Sequence, residues 1–210
     1  MIVLDIETSG LYPEKHGIWQ IGALDLYNFT NTFIEESRID YKDLVAEEAL
    51  RVIGKTESHL RDPNKQSQKK LLENFFSWTE TADIKNALCQ NPQFDIGFIN
   101  FKARKYELTP SFHHRSFDLH SIAQTRYQQL YRNLLIKDNY SDMGLSNILQ
   151  FCGLEDKRIS MEKGKVKKEG TPHNALEDAK LTAECFSRLI YGRSLLEKFS
   201  QYKVPEYLTE

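Results

Sequence analysis

The chain has 210 residues, 40% hydrophobic and 28% charged, with a formal net charge of −2. That length suits one fairly large domain with a sizeable core. A near-neutral balance excludes attraction of nucleic acid or acidic membranes through bulk charge, so any polyanion must be held by local patches or metal ions.

The first stretches read as strands: "MIVLDIET", "GIWQIGALDLYN" and "FTNTFIEESR", with turns carrying Gly, Pro and Asn. Joined this tightly, they predict an antiparallel meander. From Val45 the period becomes helical. "VAEEALRVIG" puts Val45, Ala49, Val52 and Ile53 on one stripe and stops at Gly54. "SQKKLLENFFSW" is a second helix, and "NALCQ" is a short buried strand breaking at Pro92. "FDIGFINFKARKYEL" repeats Phe94, Phe98 and Phe101 at helical spacing, "RSFDLHSIAQ" is a strand entering a helix, and "GLSNILQFCGL" is a short helix closed by Gly153. The last strong element is the long amphipathic helix "NALEDAKLTAECFSRLIYG". "YQQLYRNLLIKDNYSDM" has no clean assignment, and the basic, Gly-punctuated "EDKRISMEKGKVKKEGT" reads as a mobile loop. Strands followed by strands alternating with helices predict an α/β fold, a mixed sheet with helices packed on it. One domain over 1–192 and a tail over 193–210 are expected.

Cys89, Cys152 and Cys185 never form a C-x-x-C pair, which argues against a disulfide framework or a thiolate zinc site and fits a reducing compartment. The start of the chain is too short in apolar residues for a signal peptide, and no apolar stretch approaches a bilayer span. A cytoplasmic chain without a membrane partner is the expectation.

In a strand, residues i and i+2 share a face, so Asp5 and Glu7 project together. Asp95 falls where the fourth strand gives way to a helix, at the strand ends where α/β proteins place ligand sites. Asn174-Ala-Leu-Glu177 is a capping box that puts His173 at N′ and Asp178 at N4, positions that meet in a hydrophobic staple; Pro172 at N1 is a competing start. With no Lys or Arg beside them, four carboxylates need cations, and all-oxygen ligation suits Mg²⁺ or Mn²⁺. A neighbouring His is a general base at neutral pH. Two such ions promote phosphodiester hydrolysis.

"LDIETSGL", "QNPQFDIGF" and "HNALEDA" resemble, in order, the three motifs of the DEDDh branch of 3′–5′ exonucleases, the DnaQ-like family that includes ribonuclease T. "WQIGAL", "EALRVIGKTESHL", "SFDLHSIAQ" and "GLSNILQFCGL" extend the likeness over roughly residues 2–190. The resemblance implies an RNase H-like fold, a mixed five-stranded sheet flanked by helices, and two divalent ions, Mg²⁺ or Mn²⁺. It implies that Asp5 bridges both ions, that Glu7 and Asp178 complete the site of the water-activating one, that Asp95 holds the second and that His173 takes the proton. Thr8, Leu11 and Asn91 are implied on the terminal nucleotide, with Phe98 as the other wall of its base pocket. The expected substrate is a single-stranded 3′ end, DNA favoured over RNA, and a DNA polymerase or a second copy is a candidate partner.

Two departures stand out. Gln90-Asn91 replaces the His-Asn often found before the second motif's Phe-Asp, so altered substrate contacts are expected rather than lost activity. Residues 127–143 form a longer segment than the motifs require and are expected to shape substrate access. The run Lys157, Arg158, Lys163, Lys165, Lys167 and Lys168 reads either as a solvated loop or as a phosphate clamp.

Overall fold

A computed structural model describes residues 1–162 and 165–209. Lys163 of the basic run and Glu210 of the tail lie outside the described residues. Strands β1 (Ile2–Thr8), β2 (Ile18–Asp25) and β3 (Asn28–Glu36) form the antiparallel meander expected from their turns. Parallel strands β4 (Ala87–Cys89) and β5 (Ser116–Asp118) complete a mixed five-stranded sheet in the order β3-β2-β1-β4-β5.

Alternation along β1 divides the core. Ile2, Leu4 and Ile6 join Leu71, Phe75 and Phe98 on the face covered by α3 (Gln68–Thr79) and α4 (Pro92–Lys105). Val3 joins the opposite layer, built from α5 (Leu119–Tyr131), α6 (Leu145–Phe151) and α7 (Ala175–Tyr191). On that second face the residues after Val3 are Asp5 and Glu7, so an apolar surface turns acidic toward the strand's carboxyl end. Helix α1 (Glu47–Ile53) ends at Gly54 in a left-handed C-cap, with φ 63°. The four-residue α2 (Glu57–Leu60) follows, too short to leave a periodic signature. A buried ion pair, Lys102 Nζ to Asp43 Oδ1 at 3.0 Å, ties the segment after β3 to α4, and Gln68 Nε2 donates to the other oxygen of Asp43 at 2.7 Å.

Each of the two segments without a tidy assignment carries an antiparallel strand pair, and the first opens with the last residues of α5. Strands β6 (Ile136–Lys137) and β7 (Tyr140–Ser141) flank Asp138 and Asn139, whose φ values of 51° and 65° are those of a type I′ turn, tolerated best by Asn, Asp and Gly. The region expected as a mobile loop carries β8 (Ser160–Glu162) paired with β9 (Lys165–Lys168).

The tail docks on the domain. A short 3-10 turn (Glu197–Phe199) and α8 (Glu206–Thr209) bring Phe199 and Leu208 into the α7 layer. Beneath them Arg188 Nε donates to Glu184 Oε1 at 2.7 Å, both side chains 0% exposed. The Arg188 guanidinium also donates to the carbonyls of Cys152, Phe199 and Tyr202 at 3.0–3.2 Å. Glu184 in turn accepts the N–H groups of Leu195 and Leu196 at 2.9 Å each. Cys89, Cys152 and Cys185 are buried free thiols. Among the described residues no helix is long and apolar enough to cross a membrane.

Candidate active site

The strand pairing decides where the third acidic element lands. Asp5 stands opposite Gly22 on β2, and Glu7 opposite Gln20. A β-carbon on Gly22 would lie 2.0 Å from the Leu176 nitrogen, so the backbone of α7 rests directly on that glycine. Gln20 Oε1 accepts the Ala175 N–H at 2.9 Å, satisfying one of the open donors of the helix's first turn. "WQIG" thus repeats the two-residue spacing of "DIE" across the strand pair, and its residues seat the helix that carries Asp178.

The start of α7 is the one its capping box dictates. Asn174 is the N-cap, its side chain accepting from Glu177 N at 3.2 Å. His173 and Asp178 consequently meet, Nδ1 to Oδ2 at 3.2 Å. The His173 N–H donates to Val52 O at 3.1 Å, anchoring that residue to the end of α1.

Asp95 reaches the centre from the first turn of α4. Strand β4 pairs with β1 only at Ile2 and Val3, leaving the later residues of β1 unpaired on that edge. Asp95 Oδ1 accepts the Ile6 N–H at 3.1 Å and so takes the place of a strand carbonyl. Asn91, the N-cap, adopts φ 67°, an angle Asn accepts more readily than most residues, and Pro92 sets the first helical position.

Asp5, Glu7, Asp95, Asp178 and His173 all line one cleft of about 1360 Å³, together with Thr8, Leu11 and Asn91. Thr8 is buried, its hydroxyl donating to Gly10 O at 2.7 Å, whereas Leu11 is 68% exposed at the rim. Lys137 of β6 and Lys167 and Lys168 of β9 also face the cleft. Phe98 does not. It is 1% exposed, one turn further along α4 than Phe94 and inside the apolar layer with Leu4, Ile6 and Phe75. The aromatic ring on the cleft wall is Phe94, packed against Phe98 at a centroid distance of 5.0 Å.

The carboxylates do have a basic partner, contrary to the expectation from sequence. Sequence adjacency offered the carboxylates no Lys or Arg, yet Arg158 Nη1 donates to Asp178 Oδ2 at 3.1 Å. Its Nε and Nη2 form a fork on Asp156 at 3.0 Å each. Nothing in the sequence distinguishes this arginine from the lysines around it.

The electrostatics are those of a site short of positive charge. Burial, then the charges of Asp95, Asp178 and Glu7, pushes the Asp5 carboxyl well above its usual range. Burial pushes Glu7 up to about 8 against the pull of the His173 imidazole, with Asp178 and Asp95 adding to the rise. Asp95 is pushed by burial to about 7, the Ile6 N–H holding it back. For His173, burial pulls downward, but the hydrogen bond and charge of Asp178 outweigh it and the net shift is upward. His173 Nε2 lies 2.9 Å from Ile159 O, so both ring nitrogens face groups that only accept. Glu7 Oε1 is buried with no hydrogen-bond partner among the described residues. Glu7, His173 and Asp178 each offer a ligand atom within 4.8 Å of the others, a grouping able to hold a metal ion. An orphaned carboxylate oxygen amid hard oxygen donors fits a divalent cation.

These shifts give a pH dependence. Unfolded Asp and Glu titrate near 4, below the folded values of Asp95 and Glu7, so the folded chain holds more protons between about pH 4 and 8. Stability contributed by these groups therefore falls as pH rises through that window, and the raised His173 acts in the same direction. Metal-stripped protein is expected to melt several degrees lower at about pH 8 than at about pH 5.5. Calorimetry showing the reverse trend would contradict the shifts.

A mixed sheet in this order, flanked by helices and bringing carboxylates from β1, α4 and α7 to one cleft, is the RNase H-like arrangement of a nuclease. The chain belongs to the exonuclease family whose model, RNase_T, matches residues 2–186. It is 33% identical over 109 residues to the DNA polymerase III subunit epsilon of Buchnera aphidicola, covering 48% of this chain and 42% of that protein. It is 25% identical over 210 residues to the PolC-type DNA polymerase III of Thermotoga maritima, covering 98% of this chain and 13% of the polymerase. The chain therefore spans less than half the length of these curated relatives. Among solved structures, the nuclease domain of 3′hExo, a DEDDh family member bound to rAMP, superposes with a TM-score of 0.64 at 17% identity, covering 98% of this chain and 95% of that one. The zinc ion form of the E. coli ExoI–ssDNA complex gives a TM-score of 0.68 at 17% identity, over 91% of this chain and 40% of the other.

Proposed function

We infer that the chain removes nucleoside 5′-monophosphates from the 3′ end of single-stranded nucleic acid, with DNA favoured. The observation that carries this reading is the convergence of Asp5, Glu7, Asp95 and Asp178 in one cleft, with a buried Glu7 oxygen left without a partner among the described residues. Asp5, Glu7, Asp95 and Asp178 would hold two Mg²⁺ or Mn²⁺ ions, with Asp5 shared between them and Asp95 on the second; such ions, when bound, neutralise the phosphate and make water a stronger acid. His173 accepts the proton of the attacking water at Nε2, and Asp178 on Nδ1 holds the ring in place. The bond that breaks joins phosphorus to the 3′ oxygen of the penultimate nucleotide, so the phosphate leaves on the released nucleotide.

Thr8, Leu11, Asn91 and Phe94 would seat the terminal nucleotide, Phe94 taking the wall position that Phe98 is too deep to occupy. Contacts to phosphate, sugar and the faces of bases give low base specificity. RNA trimming is the second reading, supported by the rAMP-bound 3′hExo nuclease domain, whose full-length match contrasts with the partial match to ExoI. The polymerase III relatives make a polymerase a candidate partner.

The test uses 5′-labelled single-stranded DNA and RNA with Mg²⁺, Mn²⁺ or EDTA. A metal-dependent ladder, stronger on DNA, is expected; no laddering on either polymer would point to a non-catalytic binding module. His173→Ala is expected to lower kcat by about 10²-fold or more while leaving Mn²⁺ affinity nearly unchanged. Calorimetry showing weakened Mn²⁺ binding would instead make His173 a ligand, a role its place beside Glu7 and Asp178 also allows.

A further inference from the structure

Two groups that the proposed chemistry needs free are covered by one short piece of chain. Arg158 occupies Asp178 Oδ2, the same oxygen that faces His173 Nδ1. The next residue, Ile159, places its carbonyl oxygen on His173 Nε2. That nitrogen must donate to the carbonyl, so it has no lone pair for an incoming water.

The covering piece is built, not draped. Asp156 grips Arg158 through both carboxylate oxygens and also accepts the Arg158 N–H at 3.0 Å and the Ser146 hydroxyl at 2.6 Å. A backbone ladder fixes it beside the residues leading to His173: Ile159 N to Thr171 O at 3.0 Å, and Thr171 N to Lys157 O at 2.7 Å. The cover is also incomplete. Arg158 compensates Asp178, whereas Glu7 Oε1 remains buried without a partner among the described residues.

We propose that residues 156–160 form a self-inhibitory strap, with Arg158 as the resident counter-charge of Asp178 and the Ile159 carbonyl as a stopper on His173, and that the strap lifts when a divalent cation claims Asp178. This rests on the cation-binding reading given above. The fork between Asp156 and Arg158 spans two residues and travels with the strap, so the guanidinium keeps a partner after leaving Asp178. Lifting surrenders the Arg158–Asp178 and Ile159–His173 bonds in the cleft together with the backbone bonds of Lys157 and Ile159 to Thr171 and the Ser146–Asp156 bond. The unpartnered Glu7 oxygen, within 4.8 Å of the Asp178 ligand atom, gives a divalent cation a further ligand that the guanidinium, hydrogen-bonded to Asp178, leaves unused.

The test is Mn²⁺ titration calorimetry on EDTA-stripped full-length protein, wild type against Arg158→Gln. A strap closed about nine-tenths of the time lowers apparent affinity about tenfold, so Arg158→Gln is expected to bind Mn²⁺ about tenfold more tightly. Limited trypsin digestion of the wild type gives a second readout that needs no variant. Mn²⁺ is expected to speed cleavage after Arg158, within the strap. Equal or weaker Mn²⁺ binding by Arg158→Gln, or cleavage that Mn²⁺ slows or leaves unchanged, overturns the strap while the exonuclease reading stands. Failure of both proteins to bind Mn²⁺ overturns both.

Discussion

Asp5→Asn is expected to lower kcat by at least about 10³-fold, a loss of about 4 kcal/mol of transition-state stabilisation, while the metal-free protein melts no lower than the wild type. Asp5 lies on the central strand of the sheet, with Asp95, Asp178 and Glu7 all raising the cost of its charge. The amide keeps the shape of the side chain and removes one of four acidic groups that burial crowds together, so the cost of charging the metal-free site falls. The same change removes the anion proposed to serve both cations. Single-turnover kinetics on a labelled oligonucleotide and calorimetry in EDTA separate these effects. A melting temperature lowered by many degrees would make Asp5 a structural residue rather than a functional one.

Arg188→Ala is expected to destabilise the protein by about 3–5 kcal/mol, the usual cost of leaving one member of a buried ion pair behind. The substitution strands the Glu184 carboxylate at 0% exposure and uncovers the carbonyls of Cys152, Phe199 and Tyr202. Urea denaturation at constant slope reads the loss directly. Replacing both partners, Glu184→Leu with Arg188→Met, is expected to recover part of it, since apolar side chains carry no desolvation penalty. A single variant within about 1 kcal/mol of the wild type would show that water enters the tail interface.

Much of the site is local in character, which is why the letters disclose it. Asp5 and Glu7 need only the period of a strand to share a face, and Asn174 with Glu177 needs only capping geometry to bring His173 onto Asp178. What stayed hidden depends on partners far away in the chain. Arg158 sits among lysines, and its role is set by Asp178, twenty residues on. Helical spacing puts Phe94 and Phe98 on one stripe, but which of the two reaches the cleft depends on how deep each turn of α4 lies against the sheet. Glu184 and Arg188 read as an ordinary i,i+4 pair, and only the docked tail makes them a buried knot. The Asp138-Asn139 turn was readable in principle, yet its two-residue strands are too short for alternation to register.

The bare Cα hydrogen of Gly22 works as a spacer. With the Leu176 nitrogen only 2.0 Å from where a methyl would sit, even alanine would prise the helix off the sheet and draw its acid away from the pair on the neighbouring strand. The depth of one contact between backbones, rather than any reactive group, therefore sets how far apart the remote anions stand.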